Sequence, residues 1–143
     1  MRRSSRTFAT ALVLAATLPG CAPAPVDDPR CAEWAPEVSP PVVVRTAPPG
    51  WPDPPPGDVL CGTTFTGDES ASVEVVIAVT DRSPDEVLDY YEAELPEELA
   101  VERRPGDVSR LWGYADGVLY AIEPAGERRY TLVFQKLAGA TGG

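Results

Sequence analysis

The chain contains no histidine. That excludes Ser-His-Asp and Cys-His nucleophile pairs, acid–base work by imidazole, and most zinc sites. It has one lysine, Lys136. Nothing in its spacing from a serine or threonine points to a lysine base, and a solvated strand-end charge is the plainer reading. No apolar run reaches bilayer-spanning length: Thr7 to Leu18 is twelve uncharged residues, where a spanning helix needs about 20. Basic residues are few, 12 against 22 acidic, for a formal charge of −10. Such a surface repels phosphate backbones, so nucleic acid is not expected as a partner.

Met1-Arg2-Arg3-Ser4-Ser5-Arg6 is a cationic head, Thr7–Leu18 an apolar run, and small residues follow. This is the layout of a secretory signal. Directly after it stands Leu18-Pro19-Gly20-Cys21, which resembles the lipobox of bacterial lipoproteins. The resemblance covers the first fifth of the chain. It implies that residues 1–20 are removed, that Cys21 carries a thioether-linked diacylglycerol, and that the protein sits on the extracytoplasmic side of a membrane. A plain secretory signal with an incidental cysteine is the alternative. Arg2-Arg3 also hints at twin-arginine export. Eleven arginines against one lysine, with abundant Ala, Pro, Gly and Asp, suggest a GC-rich genome such as that of an actinobacterium.

Cleavage after Gly20 removes three of the 12 basic residues and no acidic one. Nine then face 22, a formal charge of −13. Attachment to anionic lipid is therefore expected from acyl chains rather than from a basic patch. With Cys21 acylated, Cys31 and Cys61 remain as an even pair in an exported protein. A disulfide is the default reading, with two lone thiols as the alternative.

Residues 21–57 read as a tether and arm, since 12 of the 17 prolines fall between positions 22 and 57 and proline favours extended, irregular backbone. Ala22 to Arg30 is expected to act as a spacer reaching about 25–30 Å. The stretch between Cys31 and Cys61 carries Trp34, Val42-Val43-Val44 and Trp51, apolar groups that a free linker does not need. It reads as an arm wrapped on the domain, with Val42–Arg45 as an edge strand; a disordered stalk is the alternative.

Residues 58–137 read as an α+β domain, one helix on a mainly antiparallel sheet of about five strands, with 138–143 as a frayed tail. Val59–Phe65 and Val73–Thr80 are strand segments around a turn at Thr66–Ser70, and Val73, Val75, Ile77 and Val79 alternate to one side. Ser83-Pro84-Asp85-Glu86 predicts a capped helix start. Val87, Leu88, Tyr91 and Leu95 form its buried stripe, and Pro96 ends it. Leu99–Arg103, Val108–Ala115, Val118–Glu123 and Arg128–Leu137 complete the sheet.

Asp116-Gly117 is a two-residue hairpin signal, and it sets Tyr114 opposite Leu119 and Trp112 opposite Ala121. The turn at Pro124–Glu127 then sets Glu123 opposite Arg128 and Ala121 opposite Tyr130. On this register one face carries Trp112, Tyr114, Leu119, Tyr130, Leu132 and Phe134, and the helix is expected to cover it. The other carries Leu111, Val118, Tyr120, Ile122 and Val133, too apolar to stay wet. It is expected under the proline-rich arm, or else exposed as a binding surface.

Other candidates have plain structural readings. Asp85, Asp89 and Glu92 share a helix face without calcium-loop spacing, so a solvated face is expected. Glu123 between Arg110 and Arg128 reads as a cross-strand ion pair rather than a catalytic acid. Trp112, Tyr114, Tyr120 and Tyr130 have the shape to stack on a sugar or peptide, but the sheet needs their volume as core. No metal or cofactor is expected. The expected function is a small non-enzymatic binding or interaction module, anchored in the cell envelope and meeting an envelope protein or peptide. Alternatives are a carboxylate-dependent hydrolase or carbohydrate-active domain, and an assembly accessory with no ligand.

Overall fold

A computed structural model describes residues 28–34, 38 and 44–139. The signal segment, Cys21 and Val42-Val43 lie outside the described residues, as does the tail beyond Gly139. The fold is α+β, one helix on an open sheet of six strands rather than about five. The strands are β1 (Val59–Gly67), β2 (Ser72–Val79), β3 (Glu102–Arg104), β4 (Arg110–Ala115), β5 (Val118–Pro124) and β6 (Arg129–Lys136), with helix α1 (Pro84–Glu94) between β2 and β3. The spatial order is β1-β2-β6-β5-β4-β3 and every pair is antiparallel. Helix α1 and a short 3₁₀ turn, Glu97–Leu99, carry the chain from β2 across to the far edge. That turn occupies the start of the expected Leu99–Arg103 strand, which forms only at Glu102–Arg104.

Helix α1 starts as its sequence dictates. The Ser83 side chain accepts from the Glu86 amide, and the Glu86 carboxylate accepts from the Ser83 amide, with Pro84 in the first turn. Reciprocal capping satisfies two backbone donors that the helix cannot. Val87, Leu88 and Tyr91 are buried and Leu95 is half-buried.

The β4–β5 hairpin has the expected register, Tyr114 opposite Leu119 and Trp112 opposite Ala121, with Asp116 and Gly117 both at positive φ in the turn. The β5–β6 register differs. Strand β5 runs on through Pro124, which pairs with Tyr130, so Ala121 lies opposite Val133 and Glu123 opposite Thr131. The Ala125 amide donates to the Arg129 carbonyl to close the loop, and Gly126 takes a positive φ there. This is a slip of three residues from the expected pairing. An odd slip turns every side chain of one strand to the other face.

The face assignment is corrected accordingly. Leu111, Val118, Tyr120 and Ile122, expected on the second face, join Tyr130, Leu132 and Phe134 in one buried core beneath α1. They form no binding surface. Val133 lies on the opposite face with Trp112, Tyr114 and Leu119, which the helix does not cover. Gly113 shows how tightly the covered side packs. A Cβ there would collide with the Ala100 carbonyl oxygen and the Tyr120 ring, so only glycine leaves room for that ring, whose hydroxyl donates to Ala100 O at 2.9 Å.

The proline-rich arm is part of this core. The Trp51 ring lies 4.7 Å from Phe134, 5.4 Å from Tyr120 and 6.0 Å from Tyr91, centroid to centroid. The helix and residues 44–51 of the arm thus share one face of the sheet. Val44 and Arg45 form no strand. Instead the amides of Arg45 and Thr46 both donate to Glu74 Oε2 at 2.8 Å. Upstream, a 3₁₀ turn at Pro29–Cys31 is fastened to β1 by the Cys31–Cys61 disulfide, and both cysteines are buried against Val79.

Candidate functional site

The side chains of β2 set up the site by reversing, over residues 72–75, the usual polarity of a half-buried strand. Its inward residues are Ser72, Glu74, Val76 and Ala78, all buried. Its outward residues are Val73, Val75 and Ile77, with Val79 covered by the arm. A strand with one wet face ordinarily turns charge outward and apolar groups inward. Here a carboxylate, Glu74, is 1% exposed while Val73 is 37% exposed. The sequence expectation that these four β-branched residues share a side holds, and that side lies opposite the helix; among the described residues it is open at Val73 and closed by the arm at Val79.

Pairing extends this stripe across the sheet. Val73, Gln135, Leu119 and Tyr114 lie in one row; Thr64, Val75, Val133, Ala121, Trp112 and Glu102 in the next; and Ile77, Thr131 and Glu123 in a third. Tyr114 is 54% exposed. Trp112 is half-buried. The Arg104 guanidinium lies 3.8 Å from its ring centroid, and its indole Nε1 is buried with no hydrogen-bond partner among the described residues. Arg110 pairs with Glu123 at 3.3 Å across the rim, as expected, while Arg128 does not face that carboxylate. One end of the face is closed by the arm, where Trp34 stacks on the Arg129 guanidinium at 4.9 Å.

The other candidates resolve into structural roles. Asp85, Asp89 and Glu92 surround Arg103, which reaches them at 3.9, 2.6 and 2.9 Å and is held more firmly charged by Glu92 and Asp89. Among the described residues, no three Cys, Asp or Glu side chains are grouped to hold a metal ion. The Asp58 side chain is buried and accepts from Thr80 Oγ1 at 2.7 Å and from the Tyr130 hydroxyl at 3.0 Å. The Tyr130 proton being committed there, the Tyr91 hydroxyl donates to Tyr130 at 3.4 Å. Burial pushes the ionisation of both phenols far up, so they stay neutral and brace the start of β1. A shallow groove of about 740 Å³ lies between the arm and the sheet end, walled by Arg45, Phe65, Asp68, Asp116 and Lys136. Its charges are mixed and the Arg45 guanidinium is already stacked on Phe65 at 5.2 Å.

The residues that sequence reasoning missed are Val73, Val75 and Ile77, together with the outward aspect of Trp112, Tyr114 and Leu119. One signal was present. Ser72–Val79 is apolar on both sides, so its period of two does not say which side is in. No protein-family model matches this chain, and no significant similarity to a curated protein or to a solved structure is found.

Proposed function

We propose that the protein is a lipid-anchored, non-enzymatic binding module of the cell envelope, and that it works through the uncovered face of its sheet. The observation that carries this reading is the reversed polarity of β2. Leaving Val73 exposed and Val75 half-buried in a stripe that reaches the exposed Tyr114 gains nothing for an isolated domain, and contiguous apolar surface marks interaction sites. Trp112 and Tyr114 add the ring types enriched where one protein surface meets another phase or partner. The Cys31–Cys61 disulfide supports an oxidising, extracytoplasmic setting, which agrees with the signal and lipobox that precede it.

The reading has two separable parts, and each is tested in the native envelope. Replacement Cys21→Ala should release the protein from the membrane fraction; unchanged retention would defeat the anchor. A photo-crosslinking side chain at Tyr114 should give adducts with an envelope component, whereas the same group at Glu94, on the helix side, should not. Equal labelling from both positions would remove the sheet face from the proposal.

A further inference from the structure

The charges of the domain are sorted by face. On the helix side Asp85, Glu86, Asp89, Glu92 and Glu94, followed by Glu97 and Glu98, meet Arg103 alone among the sheet's cations. The uncovered face carries Arg104, Arg110 and Arg129 against Glu102 and Glu123. A molecule of strongly negative total charge therefore keeps one apolar, aromatic face on which basic and acidic groups are nearly balanced, with Glu33 and Glu127 near Arg129 at its arm end.

The chain enters on that same side. The turn Pro29–Cys31 is fixed by its disulfide beside Val79 and Ile77, both outward residues of β2, and Trp34 is stacked on Arg129. The first described residue is Asp28, whose carboxylate caps the turn and pairs with Arg30. Seven residue steps separate Asp28 from Cys21, a reach of at most about 25 Å. The spacer is shorter than the sequence alone indicated, because Asp28, Pro29 and Arg30 belong to the fold. The acidic outer side of α1 lies a further helix diameter, about 10 Å, beyond the sheet.

We propose that the uncovered sheet face lies against the bilayer surface when Cys21 is acylated. Trp112 and Tyr114 then sit at headgroup level, where amphipathic rings are favoured. Val73, Val75 and Val133 make shallow apolar contact, and Arg104 and Arg110 meet lipid phosphates. The acidic helix is turned outward, and its repulsion from anionic headgroups reinforces that orientation. The inference rests on the anchored-module reading above and names the partner of its open face as the lipid surface.

The test uses the full exported chain, in the wild type and with Trp112→Phe, reconstituted in phosphatidylcholine–phosphatidylglycerol vesicles with or without bromine on the acyl chains. Bromine quenches indole emission at short range. Expected is a loss of emission in brominated vesicles that is largely absent from Trp112→Phe, with equal flotation and equal circular dichroism of the two proteins. Flotation without Trp112-dependent quenching would overturn the docked face and leave the anchor standing. Failure to float would overturn both. A second arm uses the Tyr114 photo-crosslinker: lipid adducts in protein-free vesicles support the inference. Adducts formed only with a protein, and only in native envelope, assign the face to that protein and overturn it. If Trp112→Phe does not fold, Tyr114→Trp placed in the same vesicles must show added quenching, and its absence counts against the proposal.

Discussion

Glu74 is the residue on which the arrangement of the arm turns. Its carboxylate is buried, and one oxygen takes the amides of both Arg45 and Thr46 at 2.8 Å. Backbone donors turned into a buried site are costly without an acceptor, and bonds to a charged acceptor are the stronger kind. Glu74→Ala should therefore lower unfolding stability by about 3 kcal/mol. Glu74→Gln keeps an acceptor oxygen and should lose only about 1 kcal/mol. Denaturant unfolding measures the difference, and amide exchange should speed up selectively at Arg45 and Thr46 in the alanine variant. Equal losses in the two variants would mean that the carboxylate merely fills space. The same residue explains why the inward side of β2 was hard to read: a glutamate in the pattern argues for the wet side, and only the arm, distant in sequence, supplies the donors that let it go in.

At the level of elements, the chain was most legible where local chemistry decides the outcome. The capping box at Ser83–Glu86 and the Asp116-Gly117 hairpin are self-contained, and both formed as their residues require. The β5–β6 connection is not self-contained. Pro124 is compatible with a turn or with the last place of a strand, and its pairing with Tyr130 is decided by burial of the Tyr130 ring beside Tyr91. That tertiary preference moved the register by three and exchanged the covered and uncovered faces. Cys31 and Cys61 are paired, as expected from the sequence. The arm they close is held by the disulfide, by Trp51 in its aromatic cup and by the Glu74 clamp, with further contacts from Trp34 to Arg129 and from Tyr90 to the Asp53 carbonyl. A closed loop of this length contributes about 3–4 kcal/mol by restricting the unfolded chain. Reduction should lower global stability by no more than that, while exposing residues 28–34 and leaving 44–51 packed. Hydrogen exchange on oxidised and reduced protein distinguishes this from wholesale release. Loss of protection at Trp51 together with Cys31 would show that the disulfide, rather than the core, holds the arm.

For the whole molecule, the buried phenols set the alkaline limit of stability. Tyr91 and Tyr130 lie in the centre of the core and hydrogen-bond to one another, Tyr130 donates to Asp58, and burial raises the ionisation of both phenols. Burial also raises Tyr90 and Tyr120, whose hydroxyls donate to the Asp53 and Ala100 carbonyls. An unfolded tyrosine ionises near 10.0, so below that pH both states are neutral and the stability these groups give is fully present. As pH rises beyond it, the unfolded chain loses protons that the folded one retains, and the balance shifts toward unfolding. On the acid side the sign is opposite. Asp68, held by Ser70 and Ala71, and Glu86, held by Ser83, ionise below their usual range, and what they contribute is lost as pH falls through that range. Stability should therefore be level between about pH 5 and pH 10 and drop on either side. The alkaline drop should be cooperative: tyrosinate absorbance for the buried rings and loss of circular dichroism should rise together in one step. Tyr130→Phe cuts the bond to Asp58, so it should lower stability at neutral pH by about 1–2 kcal/mol and flatten the decline above pH 10. A smooth titration of all the tyrosines with secondary structure intact would mean that the core admits phenolate. The Tyr91–Tyr130–Asp58 chain would then not be the brace described here.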